Sequence, residues 1–552
     1  MKTSKKMAVN VTINSITLKT SAGPTLFECA EKLGVRVPTS CVKQGKCREC
    51  LVEVTEGADV LSPRSEEELH LQENFRLSCR AQIVSPNGTL NCHTLRRGTM
   101  RIEESSTCIH QESSWQPDPA VTRGEGNQIL LDGTEIDLST GPIYGLAVDL
   151  GTTTVVIRLV DLENGQIVAT QSFENPQRFA GSDVMSRIHF DSENPGRLLR
   201  RTLIGYMNHA IEDFPCPPDS IYETVIVGNP TMRDIFFGLN VYSIGQRPYR
   251  SITELEFRKG SRVGTQIELT GRKSRLSIHR QGRVYGLPLI GSHVGADAAS
   301  CLLAVDFLEE TGLVAIMDIG TNTELIVGNT HRALAASCPA GPAFEGGGVT
   351  CGMPGLDGAI ESVQLGDNSY PRVQVIGGKT PEGICGSGLV ELLGELLRTE
   401  QMNSAGRLTN HQPRFPIVEE KSIFLSENDI SELAQAKGAN VSGLQIIFKR
   451  YGMEFRELDR FYLAGGFARH LDLISAKRIG LIPDLPKGKI IQLGNAAIEG
   501  ATRALLSISR RHRLEKFVAG IEHVELETDP EFFDFFVDGC QFIPIRSPKC
   551  LS

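Results

Sequence analysis

One local pattern occurs twice in this chain, and it restricts the fold more than any other feature. Residues 143–162 read IYGLAVDLGTTTVVIRLVDL, and residues 312–329 read GLVAIMDIGTNTELIVGN. Each stretch is an apolar strand, a tight polar turn and a second apolar strand, which is hairpin geometry. Asp149 and Asp318 open the two turns, 169 positions apart (318 − 149). Gly151 lets backbone approach a ligand without an intervening side chain. Thr152, Thr153, Thr154 and the turn amides can donate to phosphate, and Asp149 is placed to hold Mg²⁺ through water. Gly320, Thr321, Asn322 and Thr323 repeat the set in the second turn. Many strand turns contain Asp and Gly, so one copy means little. Two copies in equivalent strand contexts imply two similar α/β lobes whose tips face each other across a cleft. A phosphate chain held between such tips closes a hinge.

Upstream lies a cysteine cluster, Cys41-x5-Cys47-x2-Cys50-x28-Cys79. Three thiolates in one short loop and a distant fourth suit a [2Fe-2S] cluster. Zinc knuckles favour paired C-x2-C elements, and only one such pair is present. Around the cysteines, residues 8–20 alternate like a strand pair turning at Asn14-Ser15, and residues 26–33 have helical spacing. LVEVTEG reads as a strand, and RLSCRAQIV places Cys79 ahead of another. This order resembles the ferredoxin β-grasp fold. Val42 and Lys43 replace small residues common in the ferredoxin loop, and Arg48 replaces a common glycine, so the cluster potential is open to change. Cys29, on the helix, reads as a core residue.

The length of 552 residues exceeds what one core organises. The expected division is a ferredoxin-like domain over 1–93, a linker over 94–142, a first lobe over 143–305 and a second over 306–552. Residues 94–142 are polar and weakly periodic, with room for one short element that docks on a neighbour; the single tryptophan, Trp115, lies here. Within the first lobe, Asp183 or Ser182 caps a helix, and TVIVGNPTMRDIFFG reads as strand, turn and helix. A small-residue helix starts near Asp297, just before the second hairpin. The glycines Gly465 and Gly466 follow the strand FYLA, and AGPAFEGGG (340–348) and GICGSG (383–388) are further glycine-rich loops. The phenylalanine-rich stretch 531–545 reads as a buried strand or helix, with a partner-binding face as the alternative.

A net charge of −9 argues against a nucleic-acid partner. No apolar run reaches membrane-spanning length, and the first residues lack an apolar signal core, so no membrane association and a cytoplasmic location are expected. The fourteen cysteines are unevenly spaced, unlike a secreted disulfide scaffold.

DLGTTT, DIGTNTE and LAGGF together resemble the phosphate and adenosine motifs of the actin, sugar kinase and heat-shock ATPase superfamily. Within it, NPQRFAGSDVMSRI, VGNPTMRDIFFG, VGADAA, AGPAFEGG, GICGSGLVE, IGLIP and GNAAIEGA are similar to the reductive activators of corrinoid proteins. The implied fold is an α+β and α/β multidomain chain: a β-grasp [2Fe-2S] domain, a linker, and a two-lobed actin-like (ribonuclease H-like) ATPase. The implied activity is ATP-dependent transfer of one electron to an inactive Co(II) corrinoid protein, restoring the Co(I) needed for methyl transfer. Plant-type clusters sit near about −400 mV. A deficit of about 200 mV in a one-electron step is roughly 5 kcal/mol, a scale that ATP can supply.

The resemblance implies cluster ligation by Cys41, Cys47, Cys50 and Cys79. It implies phosphate contacts from Gly151–Thr154 and Gly320–Thr323, adenosine contacts from Gly465 and Gly466, and Mg²⁺ near Asp149 and Asp318. Asp297 takes the place of a water-orienting group, the alternative being a helix N-cap. The implied partners are a corrinoid protein and an upstream donor (flavodoxin, ferredoxin or reductase), with a homodimer left open. Competing readings are activation of another low-potential metalloenzyme such as a dehydratase, a small-molecule kinase with a redox sensor, and an ATP-gated scaffold.

Overall fold

The computed structural model describes residues 8–547 apart from 40, 42, 73, 96–116, 195, 367–369, 410–411 and 467. Trp115, Val42 and Cys550 lie outside the described residues.

At the N-terminus, β1 (Val9–Ile13) and β2 (Ile16–Thr20) form a hairpin. Its turn needs left-handed backbone at both central positions, and Asn14 and Ser15 supply it (φ 49° and 68°). The helix Leu26–Lys32 starts at a reciprocal capping box between Thr25 and Glu28 and buries Leu26, Phe27, Cys29 and Ala30. β3 (Leu51–Glu56), β4 (Phe75–Leu77) and β5 (Gly88–Thr94) complete a sheet in the order β2-β1-β5-β3-β4, with β1 and β5 parallel at its centre. This is the expected β-grasp. The strand beside Cys79 precedes it as β4, and the next full strand, β5, comes nine residues after it (88 − 79).

The described part of the expected linker holds more than one short element. β6 (Val121–Arg123), β7 (Gln128–Leu131) and β8 (Thr134–Leu138) form a three-stranded sheet. Val121 and Ile129 bury into the same core as the first lobe. Arg123 bonds Glu163 at 2.8 Å, and the Tyr222 hydroxyl donates to Asp137 at 2.7 Å.

The repeat in sequence becomes a repeat in topology. In the first lobe, β9 (Tyr144–Leu150), β10 (Thr154–Asp161), β11 (Ile167–Glu174), β12 (Ile221–Gly228), β13 (Ile267–Thr270) and β14 (Arg283–Gly286) run β11-β10-β9-β12-β14-β13. The second lobe begins with β15 (Val314–Ile319), β16 (Thr323–Gly328) and β17 (Ala333–Cys338). A small sheet follows from β18 (Ala359–Leu365), β19 (Pro371–Val375) and β20 (Gly383–Ile384), then a pair, β21 (Arg414–Val418) and β22 (Ile423–Ser426). β23 (Arg460–Ala464), β24 (Ile490–Gly494) and β25 (Glu522–His523) then join the main sheet, giving β24-β23-β15-β16-β17-β25. In both lobes the first hairpin strand pairs antiparallel with the second and parallel with a later strand, β12 or β23. Parallel pairing requires a crossover, and helices covering both faces explain why β9, β10 and β12 are nearly continuous buried runs.

The 25-residue helix Glu427–Tyr451 is capped by Ser426 and Asp429 and ends on left-handed Gly452 (φ 86°). The phenylalanine-rich tail forms the helix Phe532–Gly539, which packs against it. Phe532 and Phe535 face the core, while Phe533 stays 69 % exposed.

The ferredoxin-like domain is seated on the first lobe, and the two share one apolar core. The His70 ring meets Phe179 edge-on at 5.8 Å, and Arg178 faces Glu53 at 3.6 Å. Arg36 pairs with Asp213 and Glu212, and Arg201 donates to the Lys46 carbonyl at 3.4 Å.

Candidate functional site

Two sites stand out: the cysteine loop, and the cleft between the hairpin tips. In the loop, the Cys50 thiol donates to Cys79 at 3.2 Å; this contact brings the Cys79 pKa down to about 7 and raises that of Cys50. Burial opposes ionisation of Cys41, but bonds from the Cys47 amide and thiol and from the Gln44 and Lys46 amides outweigh it and lower its pKa. The Gly45 amide likewise favours the Cys79 thiolate. The loop thus offers two thiol pairs, Cys41 with Cys47 and Cys50 with Cys79, each solvated by backbone N–H groups. Two thiolates per iron is what a [2Fe-2S] cluster needs, so the donor set fits that group. Among the described residues, the thiols stand as two pairs, and no group of three or more is drawn together as around a single metal ion. Lys43 and Arg48 adopt left-handed backbone (φ 65° and 61°), a conformation glycine takes more readily, so Arg48 keeps the turn at a local conformational cost.

The cleft is lined by Asp149, Gly151, Thr152, Thr153 and Thr154 from the first tip and by Asp318, Gly320, Thr321, Asn322 and Glu324 from the second. Asp297, Gly465 and Gly466 also line it. The tips meet: Thr153 Oγ1 and Thr321 Oγ1 are 3.5 Å apart, and both donate to Glu345 Oε2, at 3.2 and 2.5 Å. At Gly465 (φ 111°), a Cβ would lie 2.2 Å from the Ile319 carbonyl, so only glycine lets β23 end beside the second hairpin. Thr323, the first residue of β16, is fully buried and does not line the cleft. Of the glycine-rich loops, 340–348 contributes Glu345; residues 383–388 are not among those lining the cleft.

The first tip is held from behind. The Asn175 amide donates to the Thr153 carbonyl at 2.7 Å, and Asn175 Nδ2 to the Gly151 carbonyl at 2.8 Å. Arg187 Nη2 donates to the Thr152 carbonyl at 2.6 Å. A trans peptide points its N–H opposite to its C=O. Fixing the Gly151 and Thr152 carbonyls backward therefore turns the Thr152 and Thr153 N–H groups away from Asn175 and Arg187, an arrangement suited to an anion. Asn229 Nδ2 fixes the Thr152 hydroxyl at 2.9 Å.

Acidic groups dominate the cleft. Burial, and then the Asp318 charge, push Asp149 up to about 7 against the bond from Asn495 Nδ2 (2.9 Å). Burial, together with Asp149 and Asp318, raises Asp297 to about 7. Burial raises Asp318 to about 6 against the bond from Cys301 Sγ (3.4 Å). Burial also raises Glu324 and Glu345. Asp297 sits in the first turn of the helix Ala296–Ala304, whose N-cap is Gly295, so the capping alternative is not realised. Sequence reasoning missed Glu345, Asn495, Asn175 and Arg187 as site residues; the GNP and GNAA turns were the available signal for Asn229 and Asn495.

A cysteine-loop ferredoxin domain seated on a two-lobed body whose paired hairpin tips meet across a cleft is the architecture of a redox ATPase. Family models agree with that class. Residues 11–84 match the 2Fe-2S iron-sulfur cluster binding domain, residues 144–310 the RACo middle region, and residues 312–549 the C-terminal domain of RACo, the ASKHA domain. The corrinoid activation enzyme RamQ of Eubacterium limosum is 29 % identical over an alignment of 582 positions, covering 93 % of this chain and 95 % of that protein. The [Co(II) methylated amine-specific corrinoid protein] reductase of Methanosarcina barkeri is 24 % identical, over 72 % and 76 %. A solved reductive activator for corrinoid, iron-sulfur protein superposes with a TM-score of 0.70 at 25 % identity, over 97 % and 98 %. The chain belongs to the RACo family of reductive activators of corrinoid proteins.

Proposed function

We propose that this chain is an ATP-dependent reductive activator that delivers one electron to the inactive Co(II) form of a corrinoid protein and leaves it as Co(I), ready for methyl transfer. The observation that carries the reading is the seating of the cysteine-loop domain on the lobe bearing the first phosphate tip, which joins a redox site and an ATP clamp in one body. Cys41, Cys47, Cys50 and Cys79 would hold the [2Fe-2S] cluster, which when bound supplies one-electron storage at low potential.

In the cleft, Gly151, Thr152, Thr153, Gly320, Thr321 and Asn322 bind the phosphates of ATP, and Gly465 and Gly466 take the adenosine side. Asp149 and Asp318 are the residues that would hold Mg²⁺ beside the phosphates, where it would offset the charge of these buried carboxyl groups. Asp297, held near neutrality by burial, orients and deprotonates the attacking water. Glu345 ties the tips together through Thr153 and Thr321, so a bound nucleotide and this carboxylate act on the same closure. The electron arrives from a flavodoxin, ferredoxin or reductase, in the cytoplasm. Among the described residues, no helix is long and apolar enough to cross a membrane.

The test mixes anaerobically purified, chemically reduced protein with a Co(II) corrinoid protein, with and without Mg·ATP, and follows Co(I) by its absorption. Co(I) formation that depends on ATP supports the proposal. Equal rates without ATP, or phosphate appearing on a small-molecule acceptor instead, would overturn it.

A further inference from the structure

The stretch NPQRFAGSDVMSRI contributes no residue to the cleft lining, yet it bonds the first hairpin tip and also touches the domain that carries the cysteine loop. On one side, Asn175 and Arg187 hold three successive carbonyls of the first phosphate tip, those of Gly151, Thr152 and Thr153. On its other side, the Glu174 amide donates to the Leu95 carbonyl (3.2 Å), Arg178 bonds Glu174 (3.3 Å) and faces Glu53 (3.6 Å), and Phe179 packs edge-on against His70 (5.8 Å). All three partners, Leu95, Glu53 and His70, lie on the cysteine-loop side of the boundary.

Arg187 is the unusual member. It is fully buried, and among the described residues it forms no ion pair. Its other bonds go to the Gly181 carbonyl (3.1 Å), the Gln177 side chain (3.5 Å) and the Met232 sulfur (3.1 Å). Asp183 attracts it only from beyond ion-pair distance, and a buried cation so weakly compensated by carboxylate is costly to keep unless its hydrogen bonds have a purpose. Here they bind the start of the arm, its middle and the phosphate tip into one unit. Phe179 and His70 form a dry contact: Phe179 is 1 % exposed, and burial, then the Arg48 charge, pushes His70 down to about 4, so the ring stays neutral. A change in the tip therefore moves a rigid, polar-anchored arm against an apolar seat, with little local slack to absorb it.

We propose that residues 174–187 are the arm that couples phosphate occupancy of the first tip to the seating of the cysteine-loop domain, with Arg187 the positioning residue and Arg178 and Phe179 the contacts that deliver the change. The proposal rests on the activator reading for its purpose, but its test does not need a corrinoid protein.

Hydrogen–deuterium exchange is recorded on the full-length holoprotein with and without Mg²⁺ and the non-hydrolysable analogue AMPPNP. The expected result is altered exchange in peptides spanning the tip and in peptides spanning Glu53 and His70. Arg178→Glu, a partly exposed position that faces Glu53, should keep the response at the tip and lose it at Glu53 and His70. The double variant Arg178→Glu with Glu53→Arg, which restores an opposite-charge pair across the boundary while Glu174 stays beside position 178, should recover part of it. Phe179→Ala should behave like the single charge variant; Arg187→Lys should weaken both responses by loosening the tip. An unchanged His70 response in Arg178→Glu and Phe179→Ala, or a wild-type response confined to the tip, would overturn the arm. Failure of ATP-dependent Co(I) formation with the exchange response intact would instead overturn the activator reading and leave the arm standing.

Discussion

Replacing Asp318 with Asn isolates the electrostatic burden of the cleft. The Asp318 carboxyl titrates at about 6 when folded, against an ordinary value of 3.8, because burial penalises its charged form. Below about pH 4 the folded and unfolded states both hold the proton, and the group has no net effect. As pH rises from about 4 to 6, the unfolded chain releases its proton while the folded chain keeps it, so stability falls. Above about 6 the full penalty is present. Two units at 1.36 kcal/mol each make that penalty roughly 3 kcal/mol. Asn keeps an oxygen to accept the Cys301 thiol bond, and it also relieves Asp149 and Asp297, which the Asp318 charge raises. Urea unfolding without nucleotide or metal, followed through the ATPase lobes, should show the variant equal to wild type near pH 4 and about 3 kcal/mol more stable at pH 8. Adding Mg²⁺ and ATP at pH 8 should stabilise wild type more than the variant, because in wild type the ion also neutralises the charge that Asn lacks. A variant less stable than wild type at pH 8 without ligands would refute the reasoning.

Four further outcomes are expected. Cys47→Ser should abolish visible absorption from the cluster while leaving nucleotide binding intact, read by iron content and by nucleotide titration. Glu345→Ala removes the shared acceptor of Thr153 and Thr321 and should cost about 1.5–3 kcal/mol of closure, read as weaker Mg·ATP affinity and a larger radius of gyration in solution scattering. Gly295→Ala places a Cβ 2.5 Å from the Asp297 carboxylate and 2.6 Å from Asn229 Cα, so ATP hydrolysis should fall by about 10²-fold with only a modest loss of ATP affinity. Arg158→Met leaves Glu499 buried with one side of its ion-pair network missing (Arg158–Glu499, 3.1 Å) and should destabilise by about 3 kcal/mol; Arg158→Met with Glu499→Gln should recover most of it.

What was legible in the sequence was whatever local chemistry decides. The two hairpins announced themselves because each turn needs glycine and small polar residues between apolar strands. The cysteine loop did so because thiolate spacing is tied to cluster geometry. Asp183 and Asn229 cap their helices as their side chains permit. The sheet of residues 121–138 was obscured because its strands are three to five residues long and broken by Gly124, Gly126 and Gly133. Thr323 was misjudged by equivalence: it matches a tip threonine in sequence, but in space it starts a strand and turns into the core. Glu345, Asn175 and Arg187 had no local signature. Each acts on a tip more than about 20 positions away, and only tertiary packing brings them together.

The measurement that tests the central claim most directly is a single-turnover redox balance. Protein carrying one reduced cluster, freed of excess reductant, is mixed with a Co(II) corrinoid protein, and cluster oxidation and Co(I) formation are followed in the same sample with and without Mg·ATP. The account predicts that one Co(I) forms for each cluster oxidised, only when Mg·ATP is present, and not at all with Cys47→Ser. Co(I) forming at the same rate without ATP, or ATP being hydrolysed while the cluster stays reduced and the cobalt stays Co(II), would contradict it.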